Sequence, residues 1–320
     1  MNNHPTTTSR FCLRLLAVVA AWCWSGQTAR AAAEVLVLKS YAAEPYDQAV
    51  AGFLAHWPKC GATQTVRQCT LADVTKNGNP APAAAQAQAV VSVGTEATAW
   101  AVWHTTGPVI FCMVANPHQK VLAGLSGPEL ARVRGVSLNV PVHNQFATLH
   151  DILPKAKRIG VVFDPQQSAG AVAEASAAAT RLGCTVVSRP VTNEAALPEA
   201  LVGLDGRVDA VWAPVDATVY NPRSAQFVLR QMLQRQVPVV GFSENLVKAG
   251  ALFAPCVNYQ DIGRQTAELL AAVLRTGAPA GGTVQPPQRF NVVVNAHVSR
   301  LLNRPIKSTA AQPVSFINED

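Results

Sequence analysis

Short β-branched apolar runs alternate along this chain with longer, alanine-rich stretches of helical period, and few folds accommodate that alternation. Strands separated by helices pair in parallel, and the helices must then cover the sheet, burying the strands on both faces. A first series has strands over 35–38, 63–68, Ala89–Val93 and 108–114, with a helix over Glu44–His56 and another after the Gly94-Thr95 turn. A second series follows Gly135: strands over Arg158–Phe163, Thr185–Pro190, 210–213 and 237–242, and helices over 169–182, 194–204 and 224–235. The 320 residues suit two lobes of about 150 residues each. The two series share a pattern but no close sequence repeat. The stretch 76–88, rich in Asn, Gly, Pro, Ala and Gln, reads as a surface loop, and 307–320 as an aperiodic tail.

With 49% hydrophobic and 14% charged residues, the chain is not a disordered or highly charged tail protein. Its formal charge of +7 invites a nucleic-acid reading until the first residues are considered. Residues 1–31 begin with a polar segment carrying Arg10 and Arg14. An apolar run from Leu15 to Trp24 and a small-residue end, Ala29-Arg30-Ala31, follow. This is the pattern of a secretory signal peptide; the alternative is an uncleaved signal anchor. The run is shorter than the roughly 20 residues a bilayer requires. A cut after Ala31 (one after Ala33 fits equally) removes three Arg and no acid, leaving 23 basic residues against 19 acidic, or +4. Trp22, before Cys23, is too bulky for a lipoprotein anchor site. Arg132 with Arg134, and Lys155, Lys157 and Arg158, are too sparse for a nucleic-acid stripe. The mature chain is therefore expected in the periplasm, without a nucleic-acid partner.

Cys60, Cys69, Cys112, Cys184 and Cys256 remain after cleavage, an odd number with no C-x-x-C pair or His spacing suited to a metal. In an oxidising compartment Cys60 and Cys69 are the candidate disulfide, the alternative being five reduced thiols. His143 and His150 share a helix face but lack a third ligand. Trp100 and Trp103, three apart on a helix, read as core, as does Trp212. Nucleotide, metalloprotease and nucleophile-elbow motifs are absent; Gly241-Phe242-Ser243-Glu244-Asn245 lacks the final glycine of the last. No enzyme activity and no cofactor are expected.

From Arg158 onward the segments IGVVFDPQQSAGAVAEASAAATRLG, GRVDAVWAPVDATV, VPVVGFSENLVKAGALFAPCVNYQDIGRQTAELLAAVLRTG and PPQRFNVVVN occur in an order that resembles the ABC-transporter substrate-binding protein family, which includes tryptophan and other amino-acid binders. The resemblance is clear over about 135–303 and fainter over 34–134. It implies the type I periplasmic binding-protein fold, an α/β architecture of two doubly wound, Rossmann-like lobes joined by a three-strand hinge. Crossings are then expected near 135–140, 240–244 and 283–290. The N-terminal lobe would comprise 34–137 plus about 243–282, and the C-terminal lobe 138–242 plus about 283–305. The resemblance further implies a monomer that binds a small molecule between its lobes and delivers it to an ABC permease in the inner membrane. The alternative is a periplasmic sensor that presents its closed form to a membrane receptor or kinase.

Open parallel sheets bind ligands beyond the carboxyl ends of their strands, where helix N-termini leave N–H groups unpaired. The candidate ligand residues are therefore Tyr41, Thr95, Glu96 and Asn116 in the first lobe, Asp164, Asp216 and Thr218 in the second, and Ser243 with Glu244 at the hinge. For an amino-acid ligand, Thr95 and the following N–H groups suit a carboxylate, and Asp216 or Glu244 suits the ammonium. Thr95 is equally an ordinary helix cap, and Asn116 and Asp164, each before a proline, ordinary turn residues. Family members commonly carry Asn where this chain has Ala217, which leaves the ligand class open.

Overall fold

The computed structural model describes Met1 and residues 34–75, 84, 86–277, 282–306 and 312–318. Apart from Met1, the signal segment 1–31 lies outside the described residues, as does most of the loop 76–88.

Two sheets are present. The first consists of β1 (Glu34–Lys39), β2 (Thr65–Thr70), β3 (Ala89–Val93), β4 (Val109–Val114), β5 (Val133–Ser137) and β11 (Val284–Gln285), in the order β11-β5-β4-β3-β1-β2 and parallel throughout. The second runs β13-β12-β10-β9-β8-β6-β7, built from β6 (Arg158–Phe163), β7 (Thr185–Pro190), β8 (Ala210–Trp212), β9 (Val239–Val240), β10 (Phe253–Val257), β12 (Phe290–Asn295) and β13 (Val314–Ile317). Only its β10–β12 pair is antiparallel. Each lobe begins with the order second, first, third, fourth, fifth strand, so the two are wound alike. Strands β3 and β4 are buried at every position, because helices cover both faces of the sheet.

The first sheet lies between the helices Glu44–His56 and Tyr259–Thr276 on one face and Thr95–His104 on the other. The second lies between Val142–Ile152 with Pro165–Arg181 on one face and Leu197–Val202 with Pro222–Gln234 on the other. The fold therefore has two cores. Trp212 is at the centre of the second, its ring 5.4 Å from Phe146 and its indole N–H donated to Gln145 Oε1.

The chain passes between the sheets at 138–141, 257–259 and 286–289. The second passage differs from the expected 240–244. After the two-residue β9, the short helix Glu244–Lys248 turns the chain back, and the buried run Ala251–Ala254 carries it into β10, between β9 and β12. Residues 243–257 thus complete the second sheet. The tail expectation also needs correction, since residues 314–317 pair in parallel with β12 as an edge strand. Cys60 and Cys69 are free: Cys60 packs against the core on one face of the first sheet and Cys69 against the core on the other, so the sheet separates them. Trp103 is not core but 64% exposed, while half-buried Trp100 stacks on His104.

The contact that returns the chain to the first lobe is unusually close. A Cβ on Gly263 would sit 1.8 Å from the Ala49 carbonyl oxygen, and one on Gly52 would sit 2.0 Å from that of Gln260. Only glycine permits this approach of two backbones. Gly263→Ala is expected to lower stability by about 2–3 kcal/mol, at the upper end of overpacking, read as a shift in denaturant midpoint; an unchanged midpoint would contradict the packing described.

Candidate functional site

The carboxyl ends of the parallel strands face each other across the space between the lobes. In the first lobe, Ser40 ends β1; its Oγ donates to the Val93 carbonyl (3.2 Å) and accepts the Ala97 N–H (3.0 Å), so it caps the Thr95 helix. Thr95, a candidate ligand residue for which a helix cap was the alternative, is not the cap but the first helical residue, after Gly94 at φ 97°. A Cβ on Gly94 would lie 2.6 Å from the Tyr46 hydroxyl. That hydroxyl is 3.4 Å from Tyr41 Oη, and the two rings are 5.0 Å apart. Burial, followed by the contact with Tyr41, raises the Tyr46 pKa. Tyr41 is 54% exposed and Glu96 exposed, so both stand at the rim of the first lobe.

In the second lobe, Asp164, Asp216 and Thr218 form one network. Asp216 is 2% exposed; its Oδ2 accepts the Asp164 N–H (2.7 Å) and the Ser168 hydroxyl (2.9 Å), and its Oδ1 the N–H groups of Thr218 (3.0 Å) and Val219 (3.1 Å). With four donors already bound, its carboxylate is engaged within the second lobe, where Asp216 staples the turns after β6 and β8 together. Asp164 caps the Pro165 helix, accepting the Gln166 N–H on one oxygen and the Thr218 hydroxyl on the other. These bonds, the Gln166 N–H foremost, hold its carboxyl below the usual range. Gln167 closes the network through Thr218 Oγ1 (2.6 Å) and the Ala217 N–H (2.9 Å).

Asn116 links the lobes. It adopts φ 50°, a conformation Asn tolerates, and exchanges two hydrogen bonds with Asn139: N–H to Oδ1 at 2.8 Å and Asn139 Nδ2 to its own Oδ1 at 2.7 Å. Its Nδ2 then donates across the gap to the Val215 carbonyl (3.3 Å). Gln119 Nε2 likewise reaches the Gln166 carbonyl (3.0 Å). These direct bonds hold the two strand-end faces together along one rim.

Beside that rim, at the hinge, is a cavity of about 140 Å³. Both lobes and two passages supply its walls: Ala115, the run Leu138-Asn139-Val140, Val215, Phe242, and Pro255-Cys256-Val257 with Tyr259. Of the candidate residues, Ser243 and Glu244 line it. Ser243 caps its short helix by accepting the Leu246 N–H (3.3 Å), and Glu244 pairs with Lys248 at 2.7 Å. Burial pushes the Cys256 thiol up to about 12 and also raises Tyr259. Tyr41, Thr95, Glu96, Asp164, Asp216 and Thr218 are not among the residues lining this cavity. Sequence reasoning missed Asn139, Gln145 and Tyr259; the misplaced second crossing hid Pro255 to Tyr259, whereas Phe242 follows directly from the strand-end rule applied one residue earlier. Among the described residues no three His, Cys, Asp or Glu side chains gather as a metal site, and no helix is long and apolar enough to cross a membrane.

Residues 79–306, well over half the chain, match the family described as ABC transporter substrate binding protein. The chain belongs to that family. It is a substrate-binding family rather than an enzymatic one. A tyrosine-binding protein of Clostridioides difficile (strain R20291) is 21% identical over 215 residues, 67% of this chain; the match spans 61% of that relative's length. Among solved structures, the ligand-free, open form of a substrate-binding protein with adhesive properties from Clostridium difficile superposes with a TM-score of 0.71 at 20% identity, covering 90% of this chain and 100% of that one. A conserved domain protein from Vibrio cholerae gives 0.59 at 25% identity (89% and 100% covered). A Streptococcus pneumonia domain in complex with L-Trp gives 0.55 at 22% (85% and 96%). These likenesses establish the type I periplasmic binding-protein fold.

Removing the Asp216 carboxylate would strand several buried donors. Asp216→Ala is expected to destabilise the protein by about 3 kcal/mol or more, measured by denaturant unfolding; a loss of ligand affinity with unchanged stability would mean that Asp216 is a ligand group after all. Since Asp164 titrates lower in the folded state than its unfolded value of about 3.9, its contribution is complete above that value and is lost as pH falls through the folded pKa. The stability gap between wild type and Asp164→Asn should therefore be full at pH 7 and shrink below roughly pH 4, as urea titrations across pH will show.

Proposed function

We propose that this chain is the exported solute-binding component of an ABC importer, taking an amino acid or related small solute between its lobes and delivering it to a membrane permease. The observation that carries this reading is the hinge cavity, walled by residues of both lobes with Glu244 among them, in a chain of the substrate-binding family. The relatives point the same way, one being a tyrosine-binding protein and another having been solved with L-Trp. Export through residues 1–31 would place the protein in the periplasm, where a monomer suffices.

Glu244 is the group we assign to the ligand ammonium, since Asp216 is committed to its own loop. Ser243, the adjacent wall residue, offers a hydroxyl. Asn116, with Asn139 and Val215, would secure the closed form, which ligand stabilises only through its greater affinity for that form. Tyr41, Thr95, Glu96, Asp164 and Thr218 form the surrounding strand-end faces that approach one another on closure, with Tyr41 the exposed aromatic at the rim.

A ligand that binds only the folded state, present at 100 times its Kd, adds about 2.7 kcal/mol, or roughly 5 °C or more in Tm. A thermal-shift screen is expected to give such a rise with an amino acid. Glu244→Gln should weaken that ligand at least about tenfold with little change in the melting temperature of the free protein. Responses confined to sugars or polyanions would overturn the amino-acid reading.

A further inference from the structure

Strand β4 departs from regular pairing at its last residues. Against β3 it stays in register up to the pair of Val93 with Cys112, but against β5 the register shifts: β4 advances three residues from Phe111 to Val114 while β5 advances two, from Gly135 to Ser137. One extra residue on one strand is a β-bulge. Met113 takes it up at φ 58°, a left-handed conformation that a residue with a Cβ adopts at a cost. The bulge also breaks the alternation of faces. Ile110, Cys112 and Met113 all pack into the core beneath the helices Glu44–His56 and Tyr259–Thr276, whereas Val109, Phe111 and Val114 pack into the core beneath Thr95–His104. Met113 is buried there, so core packing holds the strained residue in place. Three residues further on, Asn116, also left-handed at φ 50°, pairs with Asn139 and donates across the gap to the Val215 carbonyl.

We propose that Met113 is the positioning residue of the interlobe bridge: its bulge sets the register at which Asn116 leaves the first sheet, and through it the balance between open and closed lobes. By absorbing one residue, the bulge sets Val114 opposite Ser137 and lets the Leu138 N–H reach the Val114 carbonyl (3.0 Å), which brings Asn116 level with Asn139. Regular pairing from Phe111 would set Met113 opposite Ser137 instead. Asn116 would then lie one residue, about 3.3 Å, further along and turned to the other face of the sheet, out of reach of both Asn139 and Val215. The bridge therefore holds only while a residue with a side chain keeps a conformation that glycine adopts freely. The inference rests on the solute-binding reading above for what the bridge serves, and not for the bridge itself.

The test is small-angle scattering of the full chain without ligand, fitted as a mixture of open and closed lobes, beside denaturant unfolding of each variant. Asn116→Gly keeps the left-handed backbone and removes the amide; it is expected to raise the open-to-closed ratio about fivefold, the weight of one hydrogen bond. Met113→Val keeps an apolar side chain but penalises the bulge, and should raise the ratio by about as much. Met113→Gly removes the whole side chain but eases the bulge; it should lower the unfolding midpoint and leave the ratio at its wild-type value. A role in packing alone orders these two variants the other way, so a ratio raised as much by Met113→Gly as by Met113→Val overturns the proposal. Further opening when Met113→Val is combined with Asn116→Gly overturns it too, because two changes to one bridge do not sum. Should Met113→Val fail to fold, an unmoved ratio in Asn116→Gly or a raised one in Met113→Gly still decides against it. No solute enters these measurements, so a negative result leaves the solute-binding reading intact; that reading fails separately if no solute shifts the melting temperature.

Discussion

The hinge depends on one helix contact made far apart in sequence. The helix Tyr259–Thr276 follows almost the whole second lobe in the chain, yet it packs against Glu44–His56 in the first, with Gly52 and Gly263 removing the side chains that would hold the two backbones apart. Once that contact forms, the chain must leave the second sheet after β10, and it must cross again after β11 to supply β12. The chain passes between the two sheets three times for this reason. The buried apolar surface of the returning helix, from Ile262 through Val273, offsets the entropy of closing so long a loop.

Both lobes share the strand order in which the usual ligand crevice lies between the first and third strands. Here both crevices are occupied by the protein's own groups. Ser40 and Tyr46 cover the crevice between β1 and β3, and the Asp164–Asp216 network fills the one between β6 and β8. A carboxylate already accepting four hydrogen bonds gains nothing from a fifth donor and would lose much by exchanging one. The open space is displaced one strand further, to the ends of β4 and β5 and of β9 and β10, directly beside the passages. On the proposed reading, a solute held there would touch the passages between the lobes.

Much of the fold was legible along the chain because parallel strands covered on both faces are written as uninterrupted Val, Ile and Leu. Strands Ala89–Val93, Arg158–Phe163 and Thr185–Pro190 and the helix Glu44–His56 have the boundaries expected from their runs. The site was less legible. Strand ends mark where polar residues gather, but Asp164, Asp216 and Thr218 look the same in sequence whether they face a ligand or one another. Cys60 and Cys69, close in sequence, gave no hint that a sheet separates them.

Local composition and period settled the two αβ series, and the order of short motifs carried the resemblance to the family, since each is a property of neighbouring residues. Position of the second passage, pairing of residues 314–317, commitment of Asp216 and the cavity between Ala115 and Glu244 arose only on folding. Each of these depends on which distant segment arrives alongside, and hydrogen-bond capacity and volume are shared out only then.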